Sequence, residues 1–148
     1  MLKTLQKNKI RKFAKTRPIE LIYLYGSQAT NQSDLLSDYD FGILFNKSLA
    51  SKNRFDLRLK LFTDIAKIIN VSSDNIDVVD LAEVPLLLQF NIISGRLLYE
   101  RNQESKVAFE TFVMSRYHDN HHLYDKYLVD TLTKIREGVY FGRQISHS

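Results

Sequence analysis

The chain has 148 residues, 44% hydrophobic and 26% charged, a composition that predicts one globular domain and argues against wholesale disorder. Lys and Arg number 21 against 17 Asp and Glu, and the resulting net charge of +4 suits an anionic ligand such as a nucleotide but is too small to argue for direct nucleic-acid binding. Cysteine is absent, which excludes disulfides and thiolate metal sites, and no apolar run approaches a membrane span, so we expect a cytoplasmic protein without a membrane segment.

The first part of the chain predicts a helix followed by two strands. Apolar residues spaced among many Lys and Arg predict an amphipathic helix over residues 1–17, which Pro18 ends. The segment from Ile19 to Tyr25 is apolar, β-branched and aromatic, as is typical of a buried strand. After a polar, turn-rich stretch, Asp38 to Phe45 reads as the second strand.

The middle of the chain continues the alternation of helix and strand. Apolar residues recur at helical spacing over about 52–70, with Ser51 as the expected N-cap. Asn75 to Leu81 is predicted to be a third strand. Glu83 to Ser94, with a proline in its expected first turn, is predicted to be a helix, and Arg96 to Glu100 a short fourth strand.

The last third is predicted to form two helices, Gln103 to Ser115 and Asn120 to Gly138, from the spacing of their apolar residues. No repeat or linker marks a domain boundary. The order of elements therefore predicts an α/β (α+β) fold, in which a small mixed sheet of about four strands packs against helices and the C-terminal part is helical.

The end of the first strand has the chemistry of a phosphate site. Gly26 and Ser27 stop the strand and expose backbone N–H groups and a hydroxyl at the start of a short turn. Glycine also allows a triphosphate to approach the backbone closely. We therefore expect Gly26 and Ser27 to bind a nucleotide.

Two aspartates open the second strand. Asp38 and Asp40 lie two residues apart, so the alternation of a strand points both carboxylates to one face, which Gly42 continues, while the intervening side chains are apolar and belong in the core. Two adjacent carboxylates repel each other unless a cation lies between them. Mg²⁺ is the expected cation because it binds through one or two carboxylates together with substrate phosphates.

The third strand offers a third carboxylate. Asp77 and Asp80 are three residues apart and so point to opposite faces, which means that only one of them can join the site. We prefer Asp77, and Asp80 would then lie near the strand end, where it can cap the helix predicted around 83–94. The choice between Asp77 and Asp80 stays open at this point.

The stretch GSQATNQSDLLSDYDFGIL, residues 26–44, resembles the G-S-x(10)-D-x-D signature of the DNA polymerase β-like nucleotidyltransferase superfamily. The short chain looks most like the minimal nucleotidyltransferase (MNT) branch, which includes the MntA-like antitoxins paired with HEPN-domain toxins. The resemblance covers residues 18–101, which we expect to be the core of one nucleotidyltransferase domain spanning 1–148, with a helical C-terminal part at 102–143.

The resemblance implies a role for each matching residue. Gly26 and Ser27 would hold the phosphates, Asp38 and Asp40 would bind two Mg²⁺ ions, and Asp77 would be the third catalytic and metal-binding carboxylate. Many members read G-S-x-A-x-G, whereas this chain has Asn31 at the second glycine position. Asn tolerates left-handed backbone geometry better than most residues, so we expect the turn to survive.

The resemblance also implies a function. AMP would be transferred from ATP to a hydroxyl, namely a tyrosine of a HEPN-domain (HepT-like) RNase toxin, and this AMPylation would make the protein an antitoxin. Two alternatives remain: an antitoxin that neutralises its toxin by binding alone, and a small-molecule nucleotidyltransferase of the aminoglycoside type.

Overall fold

The computed structural model describes residues 2–26, 29 and 38–136. The elements in chain order are helix α1 (Thr4–Lys15), strands β1 (Ile19–Tyr25) and β2 (Tyr39–Phe45), helix α2 (Ser51–Ile69), strand β3 (Ile76–Asp80), helix α3 (Leu86–Ile93), strand β4 (Arg96–Glu100) and helix α4 (Gln103–Arg136). The strands form one sheet in the order β3-β2-β1-β4. β1 runs antiparallel to β2 and to β4, and β2 runs parallel to β3, which confirms the predicted small mixed sheet.

One face of the sheet packs against α1 and α2. Phe41 and Ile43 of β2 point to this face and are fully buried, together with Val78 of β3. They meet Ile10 of α1 and Leu61 of α2, which are also fully buried. Each such side chain contributes about 1.5–3 kcal/mol by leaving water, so the apolar side of β2 anchors the strand that carries the aspartates.

The opposite face packs against α3, and it is the face that Gly42 shares with Asp40. A Cβ built on Gly42 would lie 2.6 Å from Ile92 Cγ2, so the missing side chain lets α3 approach the sheet. Ile92 and Leu88 of α3 are buried there against residues of β1 and β3. α4 closes this side, and Phe90 of α3 stacks on Tyr117 of α4 with ring centroids 4.1 Å apart.

The prediction of two C-terminal helices is wrong. A single helix of 34 residues, α4, runs from Gln103 to Arg136, and the predicted end at Gly138 lies outside the described residues. Between Ser115 and Asn120 the apolar periodicity lapses, but the segment contains neither Gly nor Pro, so nothing interrupts the backbone hydrogen bonds.

Several predicted boundaries also need correction. The helix predicted from Glu83 begins at Leu86, with Pro85 as its N-cap, because a turn in which Glu83 N donates to Asp80 O precedes it. Ser51 is the first residue of α2, and the N-cap is Ala50. The second strand begins at Tyr39, so Asp38 immediately precedes β2. No helix in the described ranges is long and apolar enough to cross a membrane.

Candidate nucleotide and metal site

The turn that leaves β1 begins at Gly26, in contact with the second aspartate. Gly26 has φ +74°, in the left-handed region that favours glycine. A Cβ at this position would lie 2.7 Å from Asp40 Oδ2, so only glycine lets the backbone approach the carboxylate this closely. Ala29 N donates to Gly26 O at 3.2 Å and closes the turn. Ser27 and Asn31 lie outside the described residues.

The structure brings Asp40 and Asp77 together across the parallel pair of strands. Asp40 is the register partner of Asp77 on β3 and of Tyr25 on β1, so it lies between the end of β1 and the third carboxylate. Asp38 is half-buried, as are Asp40 and Asp77. The carboxylates therefore lie at the sheet end where β1 finishes and β2 begins, beside the turn at Gly26.

Asp80 lies on the other face, as the spacing from Asp77 predicts. Its Oδ2 accepts a hydrogen bond from Arg54 Nε of α2 at 3.0 Å, and its Oδ1 accepts one from Ala82 N at 3.0 Å. Asp80 therefore caps the turn after β3 rather than helix α3, which corrects that part of the prediction. A hydrogen bond to Glu83, and then the charge of Asp80, raise the pKa of Arg54.

The carboxylates of the candidate site suit Mg²⁺ only together with ligands from outside the protein. Within residues 2–26, 29 and 38–136, no group of three or more His, Cys, Asp or Glu is gathered closely enough to hold a metal ion by itself. Mg²⁺ usually binds through one or two carboxylates and completes its shell with water and substrate phosphates. Asp40, with Asp38 two residues before it, fits that mode, since the turn at Gly26 would bring phosphate oxygens to the same place.

Two cavities flank the sheet at different ends. A groove of about 760 Å³ runs between α2 and β3, and Asp77 lies in its wall beside Arg58 and Phe62. A larger cavity of about 890 Å³ is lined by Phe45 and Asn46, at the opposite end of β2 from the aspartates. The groove is therefore the cavity that adjoins the candidate site, although it is the smaller of the two.

Arg96 contacts the same turn, a position that no sequence motif predicts. Its Nε donates to Ala29 O at 2.7 Å from the first position of β4. The only signal was a cation directly after Gly95 at the start of a strand. This position becomes informative only when β4 is known to pair with β1. The pairing brings Arg96 next to Leu24 at the end of β1.

A family model described as polymerase beta nucleotidyltransferase matches residues 8–104, about two thirds of the chain. The chain belongs to this family. The resemblance predicted from the G-S-x(10)-D-x-D pattern is thereby confirmed, and the four-stranded mixed sheet is the fold that carries it.

Named relatives agree with this assignment. Protein adenylyltransferase MntA of Aphanizomenon flos-aquae (strain 2012/KM1/D3) is 27% identical over 109 residues, which cover 71% of this chain and 73% of that protein. A solved chain from a toxin–antitoxin crystal structure with AMP-PNP has a TM-score of 0.60 at 24% identity and covers 85% of this chain and 98% of its own.

A second solved structure comes from the complex of a tri-AMPylated Shewanella oneidensis HEPN toxin with its MNT antitoxin. The matching chain has a TM-score of 0.58 at 22% identity, and the match covers 88% of this chain and 99% of that one. At this level of identity the two structures support the fold alone.

Proposed function

We propose that this protein is a Mg²⁺-dependent adenylyltransferase that transfers AMP from ATP to a tyrosine hydroxyl of a HEPN-domain toxin and thereby acts as its antitoxin. The observation that carries the proposal is the close approach of Gly26 to Asp40, with Asp77 beside Asp40 on the next strand. Membership of the nucleotidyltransferase family and the name of the MntA relative support the reaction class and the acceptor.

Each residue of the candidate site would have a role in the reaction. The backbone at Gly26 would receive the triphosphate, since a turn with exposed N–H groups at a strand end binds phosphate. Asp38, Asp40 and Asp77 would hold Mg²⁺, which when bound lowers the pKa of the acceptor hydroxyl and neutralises charge developing on the leaving pyrophosphate. Ser27 would add its hydroxyl to the phosphate site, as the sequence pattern predicts.

The proposed reaction forms one bond to phosphorus and breaks one. The tyrosine oxygen forms a bond to the α-phosphorus of ATP, the bond from that phosphorus to the bridging oxygen breaks, and pyrophosphate leaves with both electrons of that bond. Asp77 would accept the hydroxyl proton, and its position in the wall of the groove along β3 supports this role, since an acceptor could approach there. The Asp40 carboxylate would lie beside the phosphates, since it contacts the backbone at Gly26.

A second candidate function is neutralisation by complex formation alone. The observation that favours it is the pair Val107 and Met114 of α4, which lie seven residues apart on one side of the helix and are each about half exposed. Exposed apolar side chains on one helix face are a feature of protein–protein contacts. Other apolar residues of the same helix serve the core: Val113 is fully buried, and Phe109 packs against the buried cluster on the α3 face of the sheet.

The test is an Asp38→Ala/Asp40→Ala double variant, incubated with a HEPN-domain toxin, Mg²⁺ and ATP labelled on the α-phosphate. Asp56→Ala/Glu104→Ala is the matched control, because it removes two exposed carboxylates on α2 and α4, outside the candidate site, and changes the net charge equally. We expect the first variant to lose transfer by about 1,000-fold or more, the scale of lost metal catalysis, and the control to label the toxin normally.

Two outcomes would change the proposal. Full labelling of the toxin by the Asp38→Ala/Asp40→Ala variant would overturn the metal assignment. If the wild-type protein binds the toxin and silences it without any label appearing on a tyrosine, neutralisation by complex formation replaces AMP transfer as the function.

A further inference from the structure

We propose that the groove between α2 and β3 is the docking surface for the acceptor protein. Its occupant is an extended segment with apolar side chains next to the tyrosine that receives AMP. The inference rests on the proposed function and deepens it, because it assigns the place where the acceptor is recognised. The surface is formed by Phe55, Leu59 and Phe62 of α2, here called the α2 ridge.

The α2 ridge is an apolar stripe on one side of its helix. Its members follow one another at positions i, i+4 and i+7, the spacing that places side chains on one helix face. Phe55 and Leu59 are each about half exposed, whereas Phe62 is half-buried and packs against the core. Contiguous exposed apolar side chains that line a groove are a feature of sites for a partner.

The groove connects the α2 ridge to the candidate site. It has a volume of about 760 Å³, and Asp77 lies in its wall together with all three residues of the ridge. A segment seated on the ridge is therefore contiguous with the carboxylate proposed to accept the tyrosine proton. Among the described residues, the larger cavity is lined by none of the three site aspartates.

The direction of α2 sets the order in which a bound segment meets the groove. Arg54 bonds Asp80, the last residue of β3, and Arg58, one turn later, bonds the carbonyl of Val78. Helix and strand thus run in opposite directions. The ridge consequently leads from the second turn of α2 towards the start of β3, where Asp77 lies.

The dimensions of the ridge suit an extended segment. A helix rises about 1.5 Å per residue, so Phe55 and Leu59 are about 6 Å apart along the helix axis. Alternate side chains of an extended chain, which point to the same side, are about 6.6 Å apart. An acceptor segment with apolar side chains at alternate positions therefore matches the ridge, and a tyrosine a few residues further along reaches the Asp77 end.

Side-chain contacts, rather than strand pairing, hold this segment. β3 is an edge strand of the sheet, but Arg58 Nη1 donates to Val78 O at 2.8 Å and occupies a carbonyl that an added strand would need. Arg54 forms ion pairs with Asp80 and Glu83. Because these groups are already paired within the chain, apolar contact with the ridge provides most of the affinity.

Helix α4 offers a matched control. Val107 and Met114 are also about half exposed, and neither of them lines the groove. Phe55→Ala/Leu59→Ala and Val107→Ala/Met114→Ala each remove two exposed apolar side chains from a helix and leave the net charge unchanged. The α4 pair is also the surface that favours neutralisation by complex formation, so the comparison decides between two docking surfaces.

The experiment measures AMP transfer to a HEPN-domain toxin from ATP labelled on the α-phosphate, with the toxin and ATP varied in turn. We expect Phe55→Ala/Leu59→Ala to raise KM for the toxin about tenfold, because truncation of apolar anchors weakens an interface by about that factor. Its kcat and its KM for ATP should change less than about threefold. Val107→Ala/Met114→Ala should keep all three values within about threefold of the wild type.

Leu59→Gln carries the test if the double variant of α2 does not fold, because glutamine is a good helix former at an exposed position. It should raise KM for the toxin about threefold. An unchanged KM for the toxin in the α2 variants, or a rise that is equal in the α4 variant or confined to it, would overturn the docking role of the ridge.

Cross-linking identifies the occupant. With photoreactive p-benzoylphenylalanine in place of Leu59, irradiation with the toxin should join position 59 to a toxin segment within about five residues of the labelled tyrosine, since an extended chain spans about 3.3 Å per residue. A cross-link only to a second copy of this chain, or only to a distant part of the toxin, would contradict the assignment.

The outcomes for the wild type separate this inference from the proposed function. A wild-type protein that labels the toxin, alongside α2 variants that match it, overturns the docking surface alone. A wild-type protein that transfers no AMP to the toxin overturns the proposed function, and the docking role of the ridge falls with it.

Discussion

The two aspartates of β3 offer a direct comparison between a candidate catalytic carboxylate and a structural one. Asp77 is the strand neighbour of Asp40, whereas Asp80 lies on the opposite face and pairs with Arg54. We expect Asp77→Asn to lower kcat for AMP transfer by about 100-fold or more, because a base or metal ligand is lost. Asp80→Asn should keep transfer and lower the free energy of unfolding by about 1 kcal/mol, since its hydrogen bonds weaken.

Labelled transfer and urea unfolding, measured on both variants, check this prediction. Both substitutions replace one carboxylate oxygen with an amide of the same shape, so each serves as the control for the other. Loss of transfer in Asp80→Asn with normal transfer in Asp77→Asn would reverse the assignment of the third carboxylate.

Much of the candidate site could be predicted residue by residue, since it depends on local rules. Alternation along β3 separated Asp77 from Asp80, whereas the shared face of Asp38 and Asp40 stays a prediction, because Asp38 precedes β2. The bonds of Arg54 and Arg96 could not be predicted, because each joins residues far apart in the chain. Such contacts depend on strand order, and no local pattern in a single sequence encodes strand order.

Among the elements, α4 is held to the sheet by a partly buried hydrogen bond as well as by apolar packing. The Tyr23 hydroxyl of β1 donates to Glu110 Oε2 of α4, and Tyr23 is 1% exposed. Tyr23→Phe keeps the packing but removes the donor, so we expect the free energy of unfolding at neutral pH to fall by about 1.5 kcal/mol, a typical value for a hydrogen bond to a charged group. Urea unfolding of the two proteins measures it.

The same contact predicts a dependence on pH. Burial, and then the hydrogen bond to Glu110, raise the pKa of Tyr23 above its ordinary value of about 10. The unfolded chain releases this proton at about pH 10 while the folded protein retains it, so the stabilisation is complete below that pH and is lost as pH rises. The advantage of the wild type over Tyr23→Phe should hold up to about pH 9 and shrink as the pH rises from about 10 to 11. A constant difference across that range would contradict a raised pKa of Tyr23.

Element types were largely predictable, whereas their boundaries and continuity were less so. The buried segment from Ile19 to Tyr25 was placed correctly because its composition is uniform and Gly26 ends it. The single helix α4 was predicted as two because the apolar periodicity lapses before Asn120. Its continuity there is supported by tertiary packing, as Tyr117 stacks on Phe90 of α3, and that packing cannot be deduced from a helical pattern alone.

For the whole molecule, an enzyme and a binding antitoxin differ in how many toxin molecules one copy can silence. AMP transfer leaves a covalent bond that persists after the antitoxin departs, whereas complex formation needs about one copy for each toxin molecule.

With ATP and Mg²⁺, we expect the wild type at about one tenth of the molar amount of a HEPN-domain toxin to abolish its RNase activity, because each copy turns over repeatedly. Asp38→Ala/Asp40→Ala should require equimolar amounts or fail. A titration of RNase activity against molar ratio, repeated with an α,β-methylene analogue of ATP that cannot donate AMP, measures this; silencing of the toxin only at equimolar wild type, equally with ATP and with the analogue, would contradict catalytic action.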